Sequence, residues 1–153
     1  MSLRVLALAV CGALVSALAA AQTEGGDVTS QSESAAIIHV KVEGVESAEG
    51  TVWVALCTTS LSIEGCPYKM SVPAAPGIAE VTFDPVPPGV YAVAAYHDVN
   101  DNGEFDTFFG IPREPYALSG TAGEKLVPTF SDAALDMHAG ENTVVMQMRR
   151  LVE

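Results

Sequence analysis

The stretch Ile78–His97, IAEVTFDPVPPGVYAVAAYH, decides how this chain folds. From Ile78 to Phe83 polar and apolar side chains alternate, which puts Val81 and Phe83 on one face and Glu80 and Thr82 on the other. That period of two marks a half-buried β-strand. The turn PVPPG follows, stiffened by prolines whose rings fix the backbone. Val90–His97 then runs almost wholly apolar, as expected of a central, buried strand. A strand, a rigid turn and a second strand make this a sheet protein.

The same period extends upstream. In IIHVKVEG, which starts at Ile37, the side chains of Ile38, Val40 and Val42 share one face, and His39, Lys41 and Glu43 share the other. Thr51–Thr58 reads as a strand apolar on both faces, with Trp53 expected in the core. Tyr68–Val72 reads as a short strand ended by Pro73 and Pro76, which have no N–H to donate to a ladder. Thr143–Arg149 closes the series. Tyr91, just after Pro87-Pro88-Gly89, is expected to bury its ring and bond its hydroxyl to nearby backbone. Six strands are placed directly. The expectation is an all-β fold, a single antiparallel sandwich of about seven strands with prealbumin-like or immunoglobulin-like Greek-key order. One helical turn is expected at Ser131–Asp136, with Ser131 as its cap. Asp98–Pro128 shows no clean period; a structureless loop of that length either hides short strands or carries function.

Three segments are expected. Residues 1–21 carry Arg4, an apolar run from Val5 to Ala21 and small residues at the end, the parts of a cleavable signal peptide. Cys11 does not make this a lipoprotein signal, because Val10 stands where a small residue is needed. Residues 22–35 offer little to bury and read as a flexible leader; residues 36–153 form the domain. The expected address is periplasmic or secreted, with no membrane insertion after cleavage. The formal net charge is −12, and one more negative once Arg4 leaves with the signal. Such a surface repels nucleic acid and draws cations and basic partners.

Cys57 and Cys66 remain in the mature chain, and an even count in an exported domain points to a disulfide, with two buried free thiols as the alternative. The sharpest motif is Asp98-Val-Asn100-Asp-Asn102-Gly103-Glu104-Phe-Asp106. Oxygen-bearing side chains at alternate positions followed by glycine match the opening of a calcium loop, since a hard cation takes six to eight oxygens on a tight curve. Asp98, Asn100, Asn102 and Asp106 would offer side chains and Glu104 its carbonyl, with calcium the expected, weakly held ion. Phe109 stands where the bidentate Glu of an EF-hand belongs, so the last carboxylate would come from Glu114 or Asp132. The competing reading is a polar turn at Asn102-Gly103.

His39, His97 and His138 lack zinc-ligand spacing and read as surface or strand-end residues. No G-x-S-x-G is present, and Ser119 has no base identifiable from sequence.

The run from Phe83 to Gly120 resembles the signature of a bacterial family called domain of unknown function 2141. The family pattern has a PPG-x-Y-x-V turn and strand, a Y-H-D-x-N-x-N-G-x-x-D loop and G-I-P-x-E. These are matched by Pro87–Val93, Tyr96–Asp106 and Gly110–Glu114. The resemblance extends from about Ile37 to Met148. It implies a small exported β-sandwich, and it supplies no activity. After Glu114 the chain departs from the pattern, reading Pro115–Gly120 where relatives carry glycines and an Asn.

These readings lead to a non-catalytic exported module that binds a protein or small-molecule partner. The rival is a small periplasmic hydrolase using His97, Asp98 and the loop around Ser119. A purely structural envelope protein is the third reading.

Overall fold

The computed structural model describes residues 35–151. The signal-peptide expectation and nearly all of the expected 22–35 leader fall outside the described residues.

Alternating side chains produce the long strands: β1 (Ala36–Val45), β2 (Thr51–Cys57), β4 (Gly77–Val86), β5 (Gly89–Asp98) and β10 (Gly140–Gln147). Shorter strands are β3 (Tyr68–Pro73), β6 (Thr107–Phe108), β7 (Ile111–Pro112), β8 (Tyr116–Leu118) and β9 (Ala134–Met137). A single turn of α-helix, α1, spans Phe130–Ala133.

These strands form three sheets, which corrects the expectation of one antiparallel assembly of about seven strands. The first sheet runs β10-β1-β4, and the second runs β3-β2-β5-β8, with β9 also on β5. The third is the β6-β7 hairpin. β1 and β10 pair in parallel, Val40 opposite Val144. Period-two alternation looks the same in parallel and antiparallel partners, so the sequence did not distinguish them.

One core joins the two larger sheets. Ile38, Val40 and Val42 of β1 and Val81 and Phe83 of β4 pack with Val52, Val54 and Leu56 of β2 and Tyr91 and Val93 of β5. Each such side chain contributes about 1.5–3 kcal/mol by leaving water. The Tyr91 hydroxyl donates to the Pro87 carbonyl at 2.9 Å, as its place after the proline turn suggests.

A smaller cluster covers the opposite face of β2 and β5. Ala55, Cys57, Ala92 and Ala94 meet Cys66, Ala122 and Ala133 there. The Cys57–Cys66 bond is formed, so the loop between them is pinned over the sheet. Small side chains on this face let the covering segments come close.

The 98–128 stretch hides short strands, as its length suggested: β6, β7 and β8. Four local readings change. β4 continues through Pro85 to Val86. Trp53 is only half-buried, because its position faces away from the main core. Thr129, not Ser131, caps α1: the Asp132 carboxylate accepts the Thr129 N–H at 2.9 Å and the Thr129 hydroxyl at 2.6 Å. The end of the expected helix is instead β9, because Ala134–Asp136 finds backbone partners on β5.

Candidate functional site: an apolar cleft braced by a polar loop

β5 has two unlike faces. Tyr91, Val93 and Ala95 enter the main core, while Ala92, Ala94 and Tyr96 face outward. In register across the outer face, Ala55 lies beside Ala94 and Ala94 beside Leu118. One step along, Trp53 lies beside Tyr96 and Tyr96 beside Tyr116. A small row thus borders an aromatic one, and the small row leaves room above the sheet.

That room is a cleft of about 220 Å³. Ala94, Tyr116 and Leu118 lie along the sheet, Leu61 and Ile63 come from the disulfide-pinned loop, and Phe105, Gly110 and Pro112 come from the segment after β5. Ala95, Leu126, Pro128 and Leu151 complete it. Every lining residue is uncharged. Leu126 is 85% exposed, so its large apolar side chain sits at the mouth rather than in the core.

Phe105 is held by the loop that the sequence singled out. Asp98, buried at the end of β5, accepts the N–H groups of Asn102 at 3.1 Å and Gly103 at 2.7 Å. Asn100 Oδ1 accepts the Asn102 N–H at 3.1 Å, and Asn102 Oδ1 accepts the Glu104 N–H at 2.8 Å. The amide groups of Asn100 and Asn102 donate to the two oxygens of Asp106, at 2.8 and 3.2 Å. Gly103 sits at φ 77°, the left-handed region that the tight curve requires. On the far side, a Cβ on Gly50 would come within 1.9 Å of the Asp98 carbonyl oxygen, so that turn admits only glycine.

Glu114 closes the loop. One of its oxygens accepts the Val99 N–H at 3.2 Å and the other the Asp106 N–H at 3.1 Å. Burial raises the Glu114 pKa above the usual carboxylate value, the two N–H bonds lower it, and the charges of Asp98 and Asp106 push it up again. Past the loop, Phe105 packs its ring between Tyr96 and Tyr116, at centroid distances of 5.3 and 6.2 Å.

Of the residues expected to offer side chains to calcium, Asp98, Asn100, Asn102 and Asp106 come together; Glu104, expected to offer only its carbonyl, is exposed on the same loop. Of the two carboxylates offered to complete the set, Glu114 joins the loop. Asp132 does not, since it caps α1 and pairs with Lys125. Among the described residues no three His, Cys, Asp or Glu side chains gather as a metal-holding group. The loop's curve is closed by its own N–H donors.

The hydrolase residues lie apart. The Ser119 hydroxyl donates to the Ala133 carbonyl at 2.6 Å and accepts the Val93 N–H at 2.9 Å, deep under β5. His97 is buried rather than at the surface, with Nε2 at 2.7 Å from the Glu49 carbonyl. Val93 and His97 are four residues apart on one strand, about 13 Å at strand rise. Serine and imidazole therefore do not form a nucleophile–base pair. His39 bonds Thr82 and Glu141 on the other sheet.

The cleft itself was missed by residue-type reasoning, because its walls come from positions 61, 105, 126 and 151. The signal was the long aperiodic stretch after Asp98.

Comparison with known proteins gives one match. The profile of a bacterial family, described as an uncharacterized protein conserved in bacteria and termed domain of unknown function 2141, fits residues 40–145. No curated protein and no solved structure matches the chain.

Proposed function

The chain belongs to that bacterial family, described as uncharacterized, and we propose that it is a non-catalytic exported binding module, a prealbumin-like β-sandwich that takes up an apolar group in the cleft on the outer face of β5. The observation that carries this reading is the cleft's wholly uncharged lining. At about 220 Å³ it is smaller than the roughly 300–1,000 Å³ of drug-sized sites, so it suits one compact apolar group, a bulky side chain or the ring system of a small molecule. The signal expected over residues 1–21 supports a periplasmic or secreted address. The two large sheets on a common core support the sandwich.

A non-catalytic role is favoured because the Ser119 hydroxyl and His97 Nε2 are held by backbone partners in separate places, while the buried His97 Nδ1 has no hydrogen-bond partner among the described residues. Calcium enters this reading only as an occupant of the 98–106 loop, to be tested by titration. The polar loop's role is to hold Phe105 as one wall. The test is binding of a neutral apolar dye, N-phenylnaphthylamine, with Leu126→Asp as the comparison. Saturable binding lost in the variant supports the reading, and binding unchanged in the variant counts against it.

A further inference from the structure

The wall that carries Leu61 and Ile63 is held unlike the rest of the cleft. Ala94, Tyr116 and Leu118 are fixed by the β5–β8 ladder, and Phe105 by the hydrogen-bonded loop after β5. The segment between Cys57 and Cys66 keeps its backbone bonds local. The Gly65 N–H donates to the Ser62 carbonyl at 3.1 Å, and the Cys66 N–H to the Ile63 carbonyl at 3.2 Å. The β2–β3 ladder stops at Leu56 opposite Tyr68. Among the described residues, only Lys69 bonds into the segment from outside, its Nζ donating to the Glu64 carbonyl at 3.1 Å. The other ties are the Cys57–Cys66 bond itself and the half-buried side chains of Leu61 and Ile63, which pack on the small cluster.

The main core contains neither cysteine and no residue of this segment. The two large sheets therefore keep their packing whether or not the bond is formed. The segment does not. Without the bond, holding it over the sheet costs backbone entropy, which two half-buried side chains offset only in part.

We infer that the Cys57–Cys66 pair is a redox control on the cleft: oxidised, it sets the Leu61 and Ile63 wall over β5, and reduced, it lets that wall lift while the sheets stay folded. The inference rests on the binding reading above and adds the condition under which the site exists. Closing the bond is thiol–disulfide exchange. Cys66, at 5% the more exposed partner, attacks as thiolate one sulfur of a disulfide oxidant RSSR and releases RSH. Cys57 then attacks the mixed disulfide and releases the second RSH. Two electrons and two protons pass from the pair to the oxidant, and a dithiol reductant reverses the exchange. The cleft is built in an oxidising compartment and open in a reducing one.

The test is titration of N-phenylnaphthylamine into the chain of residues 22–153 when oxidised, after dithiothreitol, and after reoxidation with glutathione disulfide, with free thiols counted by alkylation and mass spectrometry. Dithiothreitol is expected to weaken dye binding about tenfold, the loss of one apolar wall, and reoxidation to restore it. The reduced chain should stay folded, with dispersed β1 and β10 amide resonances and a thermal midpoint lower by roughly 10 °C. The double change Cys57→Ala with Cys66→Ala should bind dye as weakly as the reduced chain and ignore dithiothreitol, and it decides the matter if the reductant does not reach the bond. Equal dye affinity of the oxidised chain and the double variant overturns the inference and leaves the cleft reading standing. Loss of the folded state in both the reduced chain and the double variant also overturns it, because the bond would then hold the whole domain. Failure of the oxidised chain to bind dye overturns the cleft reading itself.

Discussion

The ring of Phe105 lies 5.3 Å from that of Tyr96, centroid to centroid. This contact joins the hydrogen-bonded loop to the sheet. The polar residues on the loop's curve fix where Phe105 sits, and Phe105 is at once the loop's anchor and a wall of the cleft.

Phe105→Ala is therefore expected to act twice. Truncating a half-buried ring that packs on two tyrosines should lower stability by about 1–2 kcal/mol, below the roughly 3–5 kcal/mol of a fully buried Phe. It should also weaken binding of the neutral dye. Chemical denaturation and dye titration on the same variant check both; unchanged dye binding would separate the loop from the cleft.

Glu114 should give the fold a pH dependence of known sign. Its folded pKa is raised, so between the ordinary carboxylate value and that raised value the folded state holds more proton than the unfolded one. Stability contributed by the protonated form is present below that window and is lost as pH rises through it. Glu114→Gln does not titrate and should lack this part of the slope. Denaturant midpoints of both proteins across the acid range measure the difference, and parallel curves would contradict the assignment.

Asp98 accepts two backbone N–H groups from a buried position, so Asp98→Asn presents an amide N–H to one of them. The expected loss is about 1–3 kcal/mol. With the loop closed by its own donors, that loss should be the same in calcium and in chelator. A wild-type melting point that rises in calcium, with no rise in the variant, would instead make the loop an ion site.

Phe109 sits at φ 50° and Gly110 at φ 77° in the two-residue turn between β6 and β7. The left-handed region suits Asn or Gly, while a bulky residue there is a backbone outlier. Phe109 is 91% exposed, and its ring packs edge-on against Phe108, 4.6 Å between centroids, a contact worth about 0.5–1 kcal/mol at so exposed a site. Phe109→Asn is expected to raise the thermal midpoint, by about 1 kcal/mol of stability. A lower midpoint would mean that the exposed ring contributes more than its backbone strain costs.

The long strands were legible because burial imposes a period of two. Val81 and Phe83 in β4, and Val40 and Val42 in β1, announce their faces directly. Other features had no such signature. β8 and β9 are three and four residues long and exist because β5 offers an edge to pair with. The β6–β7 hairpin turns on Phe109-Gly110, not on the Asn-Gly or Asp-Gly that would have marked it. The polar loop could be read from its spacing, which brought Asp98, Asn100, Asn102 and Asp106 together. The cleft could not, because Leu61, Phe105, Leu126 and Leu151 converge only once the sheet is built.

The most direct test of the binding reading is a nuclear magnetic resonance titration of the isotopically labelled chain, residues 22–153, with N-phenylnaphthylamine. The account predicts saturable shifts concentrated on Ala94, Phe105, Tyr116, Leu118 and Leu126, with β1 and β10 unmoved. Shifts scattered over both sheets, or none at saturating dye, would contradict it.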